Sequence, residues 1–522
     1  MTDGSDGAEI HYKKPVLTGE PPVRVEKIMV LGGGSAGWIA ALTLARKLPG
    51  VGVTVVRSPD IGIIGVGEGT TAAFSKHFFQ YLGLNTRDFY HSVSPTWKLG
   101  VKFLWGDRPF VYGFGSDLER RIPSLAKATG YYAHMTSSGI GPGSALMAGD
   151  RVFFRKPDGR PDLSQSHAFH IENESLVGWL EAQGRAAGVQ VIEGKVSEVV
   201  TGTCRMGGTE QLGVHRLVLE DGMQLSAELF VDASGFRGEL VSSALGVGRR
   251  DYGGSLFCNR AVIGGWQRNG ERILPYTLAE AMDAGWAWQI EHRNWINRGY
   301  VYSSDFIDDD SAEKEFRCKN PRIQDTRIVR FDSYRLNKMW SGNVVAVGNA
   351  SGFVEPLEAT ALQAICVQSS TLADCLVDSS GIPTRTLIDY YNRYNTRQWD
   401  DIRDFLAVHY CFNHSLGTEF WKACRSDIPL EGAEAVVDYY RDNGPSTLAA
   451  GVVLDPANSF GLEGYYSMLV GQGVPHQRPY VPDPADEAAW RKHSGELADR
   501  VAEAFTSEEA IGMFVKAGWL RS

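Results

Sequence analysis

Gly32, Gly34 and Gly37 follow directly on an apolar run and have the spacing Gly-x-Gly-x-x-Gly. This pattern predicts a strand, a tight turn and a helix whose free N–H groups can bind phosphate. Gly32 permits the turn, Gly34 lets the backbone approach a pyrophosphate, and Gly37 lets the helix pack close to the strand. Together with Ser35 and Ala36, they predict a dinucleotide site; the alternative is an ordinary glycine-rich turn.

Later segments indicate which dinucleotide is bound. A second predicted strand, 53–56, ends at Arg57, where such folds usually place an acid for the ribose hydroxyls. The missing acid weakens an NAD hypothesis, and Arg57 leaves an NADP hypothesis open. Two more predicted strands run into small-residue turns at Asp232 and Gly348. Each alone could be a simple turn, but together they are typical of FAD monooxygenases of the p-hydroxybenzoate hydroxylase type.

Two lysines lie in the segment 97–105, which has the pattern of an apolar strand. Period-two alternation places Lys98 and Lys102 on one face and the large apolar side chains on the other. Amines in this position either point to solvent or line a polar cavity. The residues by themselves favour the interpretation that both lysines point to solvent.

A candidate anion site stands at the start of a predicted helix. Thr360 is a good N-cap, so the free N–H groups around Thr360 and Ala361 can bind an anion. Glu358 lies just before this helix, where the dipole favours a glutamate even on the surface.

Length and composition fit an acidic enzyme of the cytoplasm. The 522 residues, 43% of them hydrophobic, can bury more than one standard domain's core. The apolar runs are too short for a membrane span, and the N-terminus lacks the features of a signal peptide. Seven cysteines without a C-x-x-C pair fit reduced thiols, and no cluster has metal-ligand spacing. A net charge of −10 argues against a nucleic-acid partner.

Further motifs point to a family. The glycine motif continues into Trp38, Gly65-Val-Gly67-Glu68 follows, and a Trp-x-Trp-x-Ile segment contains Trp286 and Trp288. Further motifs lie in the segments 167–170, 404–410 and 420–421. From about residue 26 to about residue 475, the chain resembles the flavin-dependent halogenases, typified by the tryptophan halogenases, and its motifs follow the same order as theirs. It departs from them at Arg57 and at Glu291, which stands where the family has proline.

The resemblance implies a reaction. FAD, supplied as FADH₂ by a separate NAD(P)H-dependent flavin reductase, uses O₂ to turn chloride or bromide into hypohalous acid, which halogenates a small aromatic substrate. Lys98 matches the catalytic lysine, which binds hypohalous acid as an ammonium or forms a haloamine as a neutral amine. Glu358 matches a carboxylate that orients the hypohalous acid or takes the ring proton. Thr360 and Ala361 match the halide site, where the family usually has Gly in place of Ala361.

The resemblance also assigns the cofactor site. The predicted flavin contacts are Gly32, Gly34, Ser35, Ala36, Gly37, Gly67, Glu68, Asp232, Gly348 and Leu357. Trp286 and Trp288 match family residues that stand near the flavin and prevent direct hydroxylation of the substrate. In most chains they would be core aromatics, and both roles can hold.

The predicted substrate residues depart from the tryptophan-specific pattern. Phe114 is expected to stack on an aromatic ring, and Tyr112 replaces a histidine of the family. Glu463, Tyr465 and Tyr466 belong to a region that looks shorter than the family's substrate-covering insert. We therefore expect a more open pocket that prefers indole-like or phenolic rings without a free amino acid group, or aromatics on a peptide or carrier.

The expected fold class is α/β. Residues 1–25 form an N-terminal arm, residues 26–380 an FAD-binding Rossmann-like lobe interleaved with a β-rich substrate lobe, and residues 381–522 a helical region over the substrate site. Assembly as a homodimer is left open. A flavin-dependent hydroxylase on the same fold and a non-catalytic flavin protein remain as alternatives. His170 and His409 are interpreted as structural.

Overall fold

A computed structural model describes residues 23–59, 68–106, 108–114, 141–446, 448–478 and 481–521. The strands are β1 (Lys27–Leu31), β2 (Gly52–Arg57), β3 (Glu68–Gly69), β4 (Thr96–Lys98), β5 (Gly100–Leu104), β6 (Phe110–Gly113), β7 (Ala168–Ile171), β8 (Gln190–Glu193), β9 (Val196–Met206), β10 (Thr209–Leu219), β11 (Gln224–Leu225), β12 (Leu229–Asp232), β13 (Arg249–Asp251), β14 (Arg260–Gln267), β15 (Thr277–Met282), β16 (Gly285–Glu291), β17 (Trp295–Tyr302), β18 (Thr326–Arg330), β19 (Tyr334–Leu336), β20 (Trp340–Ser341), β21 (Val344–Ala346) and β22 (Gly352–Phe353).

The α-helices are α1 (Ser35–Lys47), α2 (Ala72–Ser75), α3 (Thr86–Val93), α4 (Pro142–Ala148), α5 (Asn173–Ala186), α6 (Asp309–Lys319), α7 (Ala361–Asp378), α8 (Arg385–Cys411), α9 (Glu419–Asp427), α10 (Glu434–Asn443), α11 (Gly461–Gly471), α12 (Pro484–Ala502) and α13 (Ser507–Lys516). Two π-helical segments are Lys76–Tyr81 and Glu239–Ala244. Three 3₁₀ turns are Gly235–Arg237, Gly348–Ala350 and Glu431–Ala433.

The predicted strand–turn–helix opens the structure. β1 is buried beyond its first residue and passes through the glycine turn into α1. Gly32 has a φ of +128°, which L side chains rarely adopt. A Cβ on Gly32 would overlap the backbone of Ala233, and one on Gly37 would overlap the carbonyl oxygen of Gly32. The glycines at both positions are therefore required by the close approach of backbone segments.

A mostly parallel sheet carries this turn. In the described residues its order is β20-β21-β12-β1-β2-β8, and all its pairs are parallel except β20 with β21. α1 packs against both α5 and α7. This is the α/β arrangement of a doubly wound nucleotide-binding fold, with the glycine turn at the carboxyl end of a central strand.

A second, larger sheet lies beside a small one. Its order is β18-β14-β17-β16-β15-β5-β6, and a three-stranded sheet has the order β3-β7-β4. The expectation of one strand over residues 97–105 is wrong, because the chain changes sheets at Leu99. The backbone N–H of Leu99 donates to the Pro275 carbonyl oxygen at 2.7 Å, between β4 and β5. The chain thus leaves Lys98 at the end of β4, between the two sheets.

Helices dominate the chain from residue 361 onward. The longest, α8, begins at Arg385, where the hydroxyl of its N-cap Thr384 accepts from the Leu387 N–H, and runs for 27 residues. The predicted arm is tied down where it is described, since the Val25 N–H donates to the Gly381 carbonyl oxygen at 2.8 Å. None of the helices in the described ranges combines the length and apolar character needed to cross a membrane.

Candidate active site

The glycine turn faces a cavity of about 580 Å³. This volume lies in the range of small-molecule sites, roughly 300–1,000 Å³. Of the predicted flavin contacts, those that line it are Gly32, Gly34, Ser35, Ala36 and Glu68, and Ala361 of the halide prediction lines it as well. No described atom lies within 4 Å of a Cβ built on Gly34, so backbone is open to a phosphate there. The residues present therefore fit a dinucleotide such as FAD.

Four other predicted contacts, Gly37, Asp232, Gly348 and Leu357, do not line the cavity. Gly37 and Gly348 pack against residues that do, since a Cβ on Gly37 would overlap the Gly32 backbone and one on Gly348 would lie 2.8 Å from Ala36. The Asp232 carboxylate accepts from the N–H groups of Leu240 at 2.8 Å and Val241 at 2.9 Å. The carboxylate thus holds the turn whose residues Ala233, Ser234 and Gly235 line the cavity, and the flavin contact of Asp232 stays a prediction. Gly67 lies outside the described residues.

Arg57 has partners inside the protein. Its guanidinium donates to Glu181 at 2.7 Å and to Glu193 at 3.0 Å, and all three residues line the cavity. Two carboxylates neutralise the charge that an NADP phosphate would need. The structure thus disfavours the NADP hypothesis, and the acids that line this part of the cavity come from α5 and β8 instead of β2.

Lys98 is fully buried at the end of β4. Its Nζ has no hydrogen-bond partner among the described residues, and it lies 5.5 Å from the centre of the Phe114 ring. A Cβ on Gly69 would lie 3.3 Å from this Nζ, so the amine stands against bare backbone of β3. Burial lowers the pKa of the Lys98 ammonium to about 8, and the charge of Glu358 acts in the opposite direction. The solvent-face interpretation is wrong for Lys98.

Lys102 takes a different position. It lies on β5, in the other sheet, and is partly exposed. Its Nζ donates to the Tyr276 hydroxyl at 3.3 Å. The change of sheet at Leu99 therefore separates the two lysines that simple alternation put on one face.

Glu358 is buried, which contradicts its interpretation as a surface residue. The next residue, Ala359, has a φ of +55°, a left-handed conformation that strains a residue with a Cβ. Thr360 then occupies the N-cap position of α7, but its side chain makes no capping hydrogen bond. The expectation that the Thr360 hydroxyl caps the helix is therefore wrong, whereas the free N–H groups of the first turn are present as predicted.

His409 joins this cluster, and the sequence analysis missed it. Its Nε2 lies 2.9 Å from Glu358 Oε1, and its Nδ1 lies 2.8 Å from the carbonyl oxygen of Phe405. Both Glu358 and His409 are buried. The burial of His409 agrees with its interpretation as structural, but its contact with Glu358 was not predicted. The one signal in the sequence is the spacing of four residues from Phe405 to His409, which lets the imidazole reach the Phe405 carbonyl oxygen within a helix.

The two predicted flavin-proximal tryptophans share one face of β16. Their ring centres lie 6.1 Å apart, and Trp286 Nε1 donates to Glu355 Oε1 at 3.2 Å. A Cβ on Gly299, the cross-strand partner of Trp288, would overlap the Trp288 ring. Both tryptophans are buried, so the core interpretation holds.

The predicted substrate residues divide into two groups. Phe114 lies against Lys98, as described above. Tyr112 packs edge-on against Phe405, with ring centres 5.8 Å apart, and its hydroxyl stands against Gly464 of α11. Tyr465 and Tyr466 are buried on the same helix, and the Tyr466 hydroxyl donates to the Ser446 carbonyl oxygen. Glu463, in the first turn of α11, is half-buried.

Comparison with known proteins decides the family. The family model described as tryptophan halogenase matches residues 27–486, which is most of the chain. The chain belongs to the tryptophan halogenase family. The predicted family, fold class and enzyme class, a flavin-dependent halogenase, are thereby confirmed.

Relatives of this halogenase match it over nearly their full length. The tryptophan 7-halogenase KtzQ of Kutzneria sp. (strain 744) is 30% identical over 520 residues, which cover 89% of this chain and 93% of KtzQ. MibH, a lanthipeptide tryptophan 5-halogenase, has 33% identity and a TM-score of 0.84, with 97% of each chain covered. BrvH, a flavin-dependent halogenase from Brevundimonas sp. BAL3, has 27% identity and a TM-score of 0.79, covering 95% of this halogenase and 99% of BrvH.

The departure of this halogenase at Glu291 has a local explanation. Glu291 is the last residue of β16 and is fully buried, and its carboxylate forms an ion pair with Arg268. Gln289 donates to its other oxygen at 2.7 Å. A buried carboxylate needs such partners, and here the protein supplies them. Glu291 therefore closes the end of a strand and gives no support to the hydroxylase alternative.

Proposed function

We propose that this halogenase uses FADH₂, O₂ and chloride or bromide to halogenate an electron-rich, indole-like or phenolic ring. The observation that carries the proposal is the buried amine of Lys98, which lies 5.5 Å from the centre of the Phe114 ring and whose pKa, lowered by burial, is raised in part by the charge of the buried Glu358. FAD, when bound in the cavity at the glycine turn, supplies the oxygen chemistry that converts halide into hypohalous acid. The steps after the formation of hypohalous acid are carried out by side chains of this protein.

The Lys98 ammonium holds the hypohalous acid. With a pKa of about 8, Lys98 is mostly protonated at pH 7, where the ammonium outnumbers the neutral amine by about ten to one. Its Nζ has no hydrogen-bond partner among the described residues, so its N–H groups are available to the oxygen of the hypohalous acid. Such a hydrogen bond polarises the oxygen–halogen bond and makes the halogen more electrophilic. The ring attacks the halogen, and the oxygen leaves with the bonding electrons and takes up a proton to form water.

Glu358 completes the substitution. The ring carbon that gains the halogen still bears hydrogen, and the ring is then a cation. The carboxylate of Glu358 accepts that proton, and the electrons of the C–H bond restore the aromatic system. Thr360 and Ala361 provide N–H groups for the halide at the start of α7, beside the cavity that Ala361 lines.

The described substrate region supports a ring without a free amino acid group, or one carried by a peptide or carrier. Tyr465 and Tyr466 are buried, and the hydroxyl of Tyr466 is bound to the backbone at Ser446. A site with few free polar partners discriminates weakly in favour of a zwitterion. The likeness to MibH, described as a lanthipeptide halogenase, favours a peptide-borne ring among these options.

One incubation tests the proposal. The protein is combined with FAD, a flavin reductase, NADH, bromide or chloride, and a panel of indoles, phenols and tryptophan-containing peptides. Mass spectra showing halogen isotope patterns that disappear without halide, and without the reductase, are the expected result. Hydroxylated products in place of halogenated ones, at any halide concentration, would contradict it.

A further inference from the structure

The contacts of His409 fix where its protons are. A backbone carbonyl only accepts, so the contact of 2.8 Å between Nδ1 and the Phe405 carbonyl oxygen requires a proton on Nδ1. The contact of 2.9 Å between Nε2 and Glu358 Oε1 then requires a second proton between those two atoms. Without it, two lone pairs would face each other in a buried site.

The imidazole ring itself is held on several sides. The Phe405 ring meets it edge-on with centres 4.8 Å apart, and the Phe103 ring lies at 5.4 Å. Trp105 Nε1 donates to the carbonyl oxygen of His409 at 3.0 Å, which fixes the backbone of α8 at this residue. His409 therefore cannot swing away from Glu358 without breaking buried contacts.

We propose that His409 is the positioning residue of Glu358 in the halogenation reaction. The Phe405 carbonyl oxygen of α8 accepts from Nδ1–H and so fixes the imidazole ring. Nε2 then holds Glu358 Oε1, and one proton stays between the imidazole and the carboxylate. Glu358 Oε1 is thereby occupied by its hydrogen bond with His409, and Oε2 is the oxygen that accepts the ring proton. This inference rests on the proposed function, because it assigns Glu358 its acid–base role.

The position of Glu358 in the chain explains why such an anchor is needed. Glu358 sits on a turn next to the left-handed Ala359, outside any helix or strand. A carboxylate on a turn needs a partner on a rigid element to hold one rotamer. His409, near the end of the 27-residue α8, is that partner.

Two substitutions at one position separate positioning from packing. His409→Phe keeps an aromatic ring but loses both hydrogen bonds, and we expect kcat to fall by about 10²-fold, as for a catalytic group misplaced by about 1 Å. KM for the aromatic substrate should change less than twofold, and FADH₂ reoxidation by O₂ should stay the same. His409→Gln has an amide N–H that can donate to Glu358 Oε1, and we expect it to recover about tenfold of the lost kcat.

His77→Gln is the matched control. His77 is also a buried histidine, and its Nε2 lies 2.9 Å from the Thr43 hydroxyl, outside the Lys98–Glu358 cluster. We expect it to lower the melting temperature without changing the halogenated product formed per FADH₂. A wild-type kcat in His409→Phe would overturn the proposal. So would equal losses in His409→Phe and His409→Gln that follow their melting temperatures.

A spectroscopic measurement needs no activity and so tests the inference apart from the proposed function. In protein labelled with ¹⁵N-histidine, we expect a slowly exchanging proton on one Nδ1 that is absent from His409→Gln. A neutral His409 with its proton on Nε2 and none on Nδ1 would overturn the proposal. If the wild-type protein halogenates nothing while this signal is present, the proposed function fails and the pairing stands.

Discussion

At the residue scale, two opposing effects set the charge of Lys98. Burial removes water from the ammonium and lowers its pKa, whereas the nearby Glu358 stabilises the positive charge. The result, a pKa of about 8, leaves a cation that gives up its proton only slightly above neutral pH. The buried His170 faces the same amine and is held neutral, since burial lowers its pKa well below the usual value.

The charge of Lys98 predicts a pH dependence. If the ammonium binds hypohalous acid, halogenated product per FADH₂ should fall as pH rises, with a midpoint near 8. The measurement is product yield against FADH₂ reoxidised between pH 6 and 9. Lys98→Arg, which stays charged over this range, should show no such midpoint even at lower yield. A wild-type yield that rises through pH 8 would indicate the haloamine instead.

The role of Glu358 predicts a partial loss. Glu358→Gln keeps a similar shape, and its amide can donate to His409 Nε2, but it cannot take the ring proton. We expect kcat for halogenation to fall by about 10²-fold, the usual effect of losing an acid–base group. Steady-state rates with a simple indole provide the measurement, and unchanged FADH₂ reoxidation is the internal control. A wild-type kcat in this variant would exclude the acid–base role.

At the element scale, the glycine turn does two separable things. Gly37 lets α1 pack against the turn, because a Cβ there would overlap the Gly32 carbonyl oxygen. Gly34 lines the cavity and has free space where its Cβ would be. Gly37 is therefore required by the fold, whereas we propose that Gly34 is required by the ligand.

This difference predicts that alanine at Gly37 lowers the stability of the protein, whereas alanine at Gly34 lowers its affinity for FAD. Gly37→Ala should lower the free energy of unfolding by about 1–3 kcal/mol, as overpacking usually does. Gly34→Ala should leave the melting temperature unchanged but weaken FAD binding by about tenfold, or ~1.4 kcal/mol. Thermal melts and a flavin fluorescence titration measure the two effects. Equal destabilisation by both substitutions would mean that Gly34 has no special relation to the cofactor.

Elements fixed by local patterns could be predicted from the sequence, and elements fixed by distant contacts could not. The turn from β1 into α1 follows from the spacing of Gly32, Gly34 and Gly37, and it was predicted from the sequence. The break of the 97–105 segment depends on a hydrogen bond from Leu99 to Pro275, 176 residues away. The pairing of Glu358 with His409 spans 51 residues and crosses from a turn to a helix. Periodicity carries no information about such contacts.

At the scale of the whole molecule, sheets and helices meet around one site. Lys98 comes from the small sheet, Phe114 follows a strand of the large sheet, and Glu358 precedes the first of the C-terminal helices. α8 supplies His409, and α11 carries the buried Tyr465 and Tyr466. The site therefore forms only when all these parts of the chain are folded together.

The same architecture predicts substrate preference. Tyr465 and Tyr466 are buried on α11, so among the predicted substrate residues of this helix only the half-buried Glu463 is left to hold a charged group of a free amino acid. In competition at equal concentration, we expect simple indoles or a tryptophan-containing peptide to be halogenated faster than free tryptophan. Product ratios from liquid chromatography and mass spectrometry give the answer. A clear preference for free tryptophan, with a single regioisomer, would show that a zwitterion site exists.

The most direct test of the central claim is the yield of halogenated product per FADH₂ reoxidised in Lys98→Ala, with Lys102→Ala as the matched control. The two lysines lie on consecutive strands of different sheets, and of the two only Lys98 is buried without a hydrogen-bond partner among the described residues. We predict that Lys98→Ala reoxidises FADH₂ at the wild-type rate and forms no halogenated product, while Lys102→Ala keeps both. A Lys98→Ala protein that retains the wild-type product yield would contradict the account.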